Sequence, residues 1–278
     1  YSDDCSESSF NMSKCTRKDK INEWNNTASK KDGEFAIQIA RFHLKVLGMW
    51  PAALAESRID KIIAYFSIVI CSYLIAFYLI PLSIFIVFIA QDPSLRLKLI
   101  GAWSFIVMAI LKYLSLGIRQ NNIANCIKHI MTDWTNVDCS NSRNIMLTHA
   151  QYGRYGSIAC AAFMYGGAIF WAGIAPQVAP APINENNVTM RKMPFVGHFG
   201  SFDLQISPVY EIVVVTHVFC VYTIHFITST TCSIGVIFVM HACGQLEILV
   251  NWLGNFVDSG FKRQEVFLRI ITQHVRTL

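Results

Sequence analysis

Charge is what this 278-residue sequence has least of. Asp, Glu, Lys and Arg together make up 15% of it, against about 25% in a soluble domain. The 23 Lys and Arg exceed the 18 Asp and Glu by five, and no basic block is long enough to follow a nucleic-acid backbone, so no nucleic acid is expected as a partner. Catalytic signatures are missing too: no Ser/His/Asp set, paired carboxylates, phosphate loop or dinucleotide fingerprint. The nine cysteines contain no Cys-x-x-Cys pair and no Cys/His set at zinc spacing, so those in apolar runs read as small hydrophobes. The sequence therefore points to no enzyme, no metal and no cofactor. A signal peptide is not expected either, because the first 34 residues are polar and the first apolar run is too long for one.

What the sequence has is hydrophobic residues, 53% of the total, gathered into four long runs. A bilayer core about 30 Å thick needs about 20 apolar residues of helix. The runs place spans at about 62–90, 97–118, 155–175 and 208–241, followed by a helical tail over 242–278. Pro81 inside the first run is expected to kink it. The fourth run, uncharged from Ile212 to Leu246, is longer than one crossing needs. A hairpin there would give five spans, but no Gly/Pro turn signal marks its middle, so it reads as one helix. The runs are continuous and not alternating, which rejects a β-barrel. The expected fold is an all-α membrane protein, a transmembrane helical bundle with four spans.

Basic residues resist translocation. With these spans, one side of the membrane collects 18 Lys and Arg and the other 4. That makes the amino terminus, the segment between spans 2 and 3, and the tail cytoplasmic. Asn187, in the glycosylation sequon Asn187-Val-Thr189, then falls outside. Two further sequons, at Asn11 and Asn25, lie in the amino-terminal segment and point the other way. The chain starts on Tyr, not Met, and its last stretch, EVFLRIITQHVRTL, is amphipathic with no helix stop signal. It reads as a truncated fragment.

The runs hold few polar candidates. His217, His225 and His241 recur at intervals of 8 and 16. That puts neighbours about 12 and 24 Å apart along a helix, too far to share a metal, so they read as a polar stripe facing the bundle interior. Between Lys98 and Arg119, Lys112 is the one formal charge, near enough to a helix end to snorkel. No Asp or Glu interrupts any run, which disfavours an ion-coupled transporter. The third run is rich in small residues, Gly166, Gly167 and Gly173 among them, beside Phe170 and Trp171. Small residues allow either close packing or room for a ligand.

Several segments, in order, resemble the insect odorant receptor family. They are LKVLGMWP (44–51), Asp133-Trp134, QISPVYEIVVVTH (205–217) with its Ser-Pro-x-Tyr-Glu core, HACGQLEIL (241–249) and ITQHVRTL (271–278). The resemblance covers residues 35–278, which read as a partial odorant-receptor transmembrane domain; residues 1–34 read as a polar cytoplasmic segment. It reaches only the first four of the family's seven spans. It implies a multi-pass plasma-membrane subunit that binds small volatile odorants and forms a ligand-gated cation channel with a co-receptor, as a tetramer in the bilayer. It also implies a pocket in the outer half of the bundle, where depth and side-chain type nominate Trp103, Gly167, Phe170, Trp171, Val214 and Val218. A gustatory-receptor-like subunit and a four-span transporter or structural membrane protein are the alternatives.

Overall fold

The computed structural model describes residues 23–55, 57–137, 139–178, 189–193, 195–200 and 204–258, with side chains between Ala28 and Gly254. Six long helices occur among the described residues: α1 (Glu23–Val46), α2 (Arg58–Ile84), α3 (Pro93–Ile118), α4 (Gln120–Thr135), α5 (Ser140–Ile169) and α6 (Val209–Asp258). A π-helical turn, Phe85–Ile89, extends α2; another, Phe170–Ile174, leads α5 into the short helix Ala175–Val178. No β-strand occurs among the described residues.

Four helical stretches are long and apolar enough to cross a membrane: Arg58–Ile89, Pro93–Ile118, Ser140–Val178 and Val209–Gly254. The fourth is a single unbroken helix with no hairpin. Many of their large apolar side chains are exposed, among them Phe66, Tyr73, Phe88, Phe163 and Phe219. Only 6% of the most apolar window of the third stretch is buried, against 50% for the fourth. Water would penalise such surface by about 25 cal/mol per Å². Lipid chains supply the missing apolar neighbours.

The chain divides into two compact units. The first comprises Tyr1–Arg41, Asn122–Ile158 and Ser233–Leu278. Its core contains Ala36, Ile37, Trp134, Met146, Ile237 and Ile248. Helix α4 buries Ile123, Ala124, Ile127, Ile130 and Trp134. That spacing makes one apolar face of a helix. Arg143 reaches Asp32 at 2.7 Å, while Arg154 donates to the Phe35 carbonyl and lies 4.1 Å above that residue's ring.

The second unit comprises Phe42–Asn121 and Ala159–Cys232. It begins with the end of α1, where Met49 N–H donates to Leu44 O at 2.8 Å and Gly48 N–H to Lys45 O at 3.1 Å. Gly48 itself has φ +70°. This pair of bonds with a left-handed glycine is the Schellman cap, which satisfies carbonyls a helix end would otherwise orphan. Leu47 O is taken by the Tyr113 hydroxyl at 2.9 Å. Helix α2 starts on Ser57, whose side chain accepts from Ile59 N–H; α3 starts on Asp92, which accepts from Ser94 and Leu95 ahead of Pro93. Such caps are worth about 1 kcal/mol each. Only residues 90–92 join the two spans. Arg96 folds back onto Ala90 O at 2.6 Å and Val87 O at 3.1 Å, closing the end of α2.

Candidate functional site

Helix α6 carries most of the buried polar side chains of the second unit, namely His217, Thr228, Ser229 and Thr230. Its hydroxyls bond back along the helix: Thr216 to Ile212 O, Thr223 to Phe219 O, Thr228 to Ile224 O and Thr230 to Phe226 O. Local bonds of this kind let a hydroxyl sit in an apolar bundle without a partner helix. The histidines are different, because an imidazole reaches beyond its own helix.

His217 is 1% exposed and boxed by rings. Phe77 and Tyr78 of α2 lie at 5.8 and 5.6 Å, and Phe195 and Phe199 at 5.9 and 5.7 Å. The 195–200 segment is fastened to α2 as His198 N–H donates to Pro81 O at 3.1 Å. Upstream of it, the Tyr210 hydroxyl donates to Lys192 O at 2.7 Å, and Arg191 meets Glu211 at 3.3 Å. Tyr210 and Glu211 belong to the Ser-Pro-x-Tyr-Glu segment. Its role in this structure is to tether the chain entering α6.

His225 lies two turns further along α6, half-buried. Its Nδ1 is 2.8 Å from Val221 O. A carbonyl only accepts, so Nδ1 carries the proton and Nε2 of the neutral ring is an acceptor. Nε2 looks toward Gly167 of α5: a Cβ on that glycine would stand 3.8 Å from it. The Phe105 ring of α3 lies 5.1 Å from the imidazole. Three helices thus bring an aromatic wall, a missing side chain and one hydrogen-bond acceptor together. Contacts of these kinds are the ones a small, largely apolar molecule with one polar atom uses.

The residues nominated from the sequence are distributed unevenly around this point. Gly167 is part of it. Trp103 is 37% exposed and its indole N–H donates to Ser83 Oγ at 2.9 Å. Phe170 and Trp171, 50% and 59% exposed, occupy the π-helical turn and touch each other edge-on. Val214 and Val218 are half-buried on α6. Asn187 lies outside the described residues. Phe105 and His225 were not among the nominees. The eight-residue interval drew attention to His225 only as a member of a stripe, and nothing in Phe105's neighbours marks it. His241, the third member, pairs with Asp133 at 3.0 Å in the first unit. Among the described residues, no group of three His, Cys, Asp or Glu is placed to hold a metal.

No protein-family model matches the sequence, and no curated protein sequence matches it. The fold is similar to that of a solved structure, the insect olfactory receptor OR5 from Machilis hrabei, with a TM-score of 0.62 and 13% identity. The match covers 87% of this chain and 62% of that receptor. The chain therefore spans less than two thirds of the receptor's length, and what the two share is an all-helical membrane fold.

Proposed function

We propose that this chain is the greater part of an odorant receptor subunit. In this reading it sits in the plasma membrane with its amino terminus in the cytoplasm and binds small volatile odorants. With a co-receptor it forms a ligand-gated cation channel, assembled as a tetramer. The observation that carries the reading is the fold shared with an insect olfactory receptor over 87% of the chain. The carboxylate-free runs agree, since ion-coupled transport draws on acidic groups at membrane depth.

The proposed ligand surface is made of Gly167, Phe105 and His225, with Trp103, Phe170, Trp171, Val214 and Val218 as the apolar surround. Burial of apolar area supplies the affinity, and His225 Nε2 supplies the single polar contact.

The test is electrophysiological. The receptor, with whatever sequence flanks this chain in its gene, is expressed in oocytes with an insect olfactory co-receptor and challenged with a volatile panel. Odorant-evoked cation currents are the expected result. Silence across a broad panel, with surface delivery demonstrated, overturns the reading. Glycosylation mapping tests the orientation: Asn187 modified, with Asn11 and Asn25 unmodified, is expected, and the reverse pattern puts the amino terminus outside.

A further inference from the structure

We propose that a single water molecule, held between Trp134 and His149, is a structural component of the joint linking α4, α5 and α6 in the first unit. A cavity of about 10 Å³ lies there, lined among others by Trp134, Met146, His149, Ile237 and His241. That is about the space one water occupies. Trp134 is 1% exposed. Its indole Nε1 and the Nδ1 of His149 are both buried without a hydrogen-bond partner. Buried polar atoms in native proteins are nearly always paired, with protein or with water.

The two orphan atoms are chemically complementary. Indole N–H only donates. His149 Nε2 stands 2.6 Å from Glu247 Oε2. A carboxylate oxygen accepts, so Nε2 carries a proton, and in that tautomer of the imidazole Nδ1 is the acceptor. A water that accepts from Trp134 and donates to His149 satisfies both. His241, another polar side chain on the cavity wall, has its Nε2 3.0 Å from Asp133 Oδ2.

This site explains why two of the segments picked out in the sequence matter together. Asp133 and Trp134 are neighbours on α4. Asp133 holds His241 of α6 directly, while Trp134 reaches His149 of α5 through the water. His149 in turn holds Glu247 of α6. Residues from Asp133-Trp134 and from the 241–249 segment are thus linked by polar contacts through His149 and His241, both of which line the cavity. The inference stands on this geometry alone and does not depend on the ligand reading.

The test uses the full chain in lipid nanodiscs. Ultraviolet resonance Raman spectra of wild type minus Trp134→Phe isolate the indole N–H mode of Trp134. The expected position is that of a hydrogen-bonded indole, moving to the free position in His149→Phe. A free-indole signal in the wild type, or a mode unmoved by His149→Phe, overturns the proposal. Should either variant fail to fold, a cryo-EM map of the unaltered protein that resolves other ordered waters decides. A peak at about 2.7–3.2 Å from both nitrogens is expected, and an empty site in such a map overturns the proposal.

Discussion

Replacing Gly48 by Ala is expected to be among the most damaging single-methyl additions in the chain, for two separable reasons. The first is conformational. Gly48 has φ +70°, and an L-residue with a Cβ pays about 1–2 kcal/mol to stay in the left-handed region. The second is steric. A Cβ there would press into the Ala64 carbonyl oxygen of α2 and lie 3.0 Å from Ile68 Cγ1. The oxygen is backbone, so the helix itself must move, and overpacking of this kind costs about 1–3 kcal/mol. Together the loss is about 2–5 kcal/mol. At about 2–4 °C per kcal/mol for a chain of somewhat smaller size, the midpoint should fall by roughly 5–15 °C. Thermal unfolding followed by fluorescence-detected size exclusion in one detergent measures it. Gly48→Asn separates the two causes, because Asn tolerates the left-handed region yet keeps the Cβ, so it should recover only part of the loss. Gly101→Ala is the control: nothing lies within 4 Å of a Cβ there, and in the interior of α3 Ala should be neutral or stabilising by up to about 1 kcal/mol. A Gly48→Ala protein melting within a degree of wild type would refute the cap geometry.

His43 is 6% exposed, 5.0 Å from the Phe226 ring, and burial holds its imidazole below the usual histidine range. The unfolded chain takes that proton first, so the His43 contribution is whole above about pH 6.5 and lost as pH falls toward the lowered native value. His43→Leu should therefore lose less stability than wild type between pH 8 and 5.5, and parallel curves would count against the assignment. His225→Leu removes one neutral acceptor, worth about 0.5–1.5 kcal/mol. Half-maximal concentrations for hydroxyl-bearing odorants should rise about 2–10-fold relative to their methyl ethers, and an equal shift for both removes the hydrogen bond. Trp171→Ala deletes an apolar contact of about 50–100 Å², about 1–2.5 kcal/mol, so odorant sensitivity should weaken about tenfold. If only surface delivery falls while the odorant ranking holds, Trp171 is an interface anchor.

The helices were legible because membrane crossing is written in composition. Twenty uncharged apolar residues have few other uses, whereas the start of α3 at Asp92-Pro93, a few residues before the span read from the apolar run, emerged only in the structure. The joint at Gly48 was half legible. LKVLGMWP was conspicuous, but its reason, a left-handed cap lying against the backbone of α2, depends on a helix that begins ten residues later. Phe105 and His225 were the hardest to foresee. Their meaning comes from Gly167, 62 and 58 residues away, and no spacing rule within one helix connects three helices. Trp171 shows the opposite case, a residue nominated from the sequence whose local geometry the sequence does not reveal. Depth and size nominated it, yet a π-helical turn leaves it 59% exposed, and local helix geometry of that kind has no signature in residue type.

ITQHVRTL (271–278) lies outside the described residues; the other segments through which the chain is recognisable share one property, that in the structure they hold the fold together. Gly48 caps α1. Tyr210 and Glu211 fasten the chain that enters α6. Asp133 and Trp134, with His241 and Glu247, build the polar joint of the first unit. Each depends on backbone conformation or on a paired polar group, and such requirements tolerate few residue types. The Gly167–Phe105–His225 surface has no such requirement, since apolar contact is met by many side chains of similar size. A chain can therefore keep the marks of its architecture while the side chains of such an apolar surface are exchanged for others of similar size. Under the proposed function, the choice of ligand would then be sought chiefly in residues outside these segments, such as Phe105, Gly167 and His225.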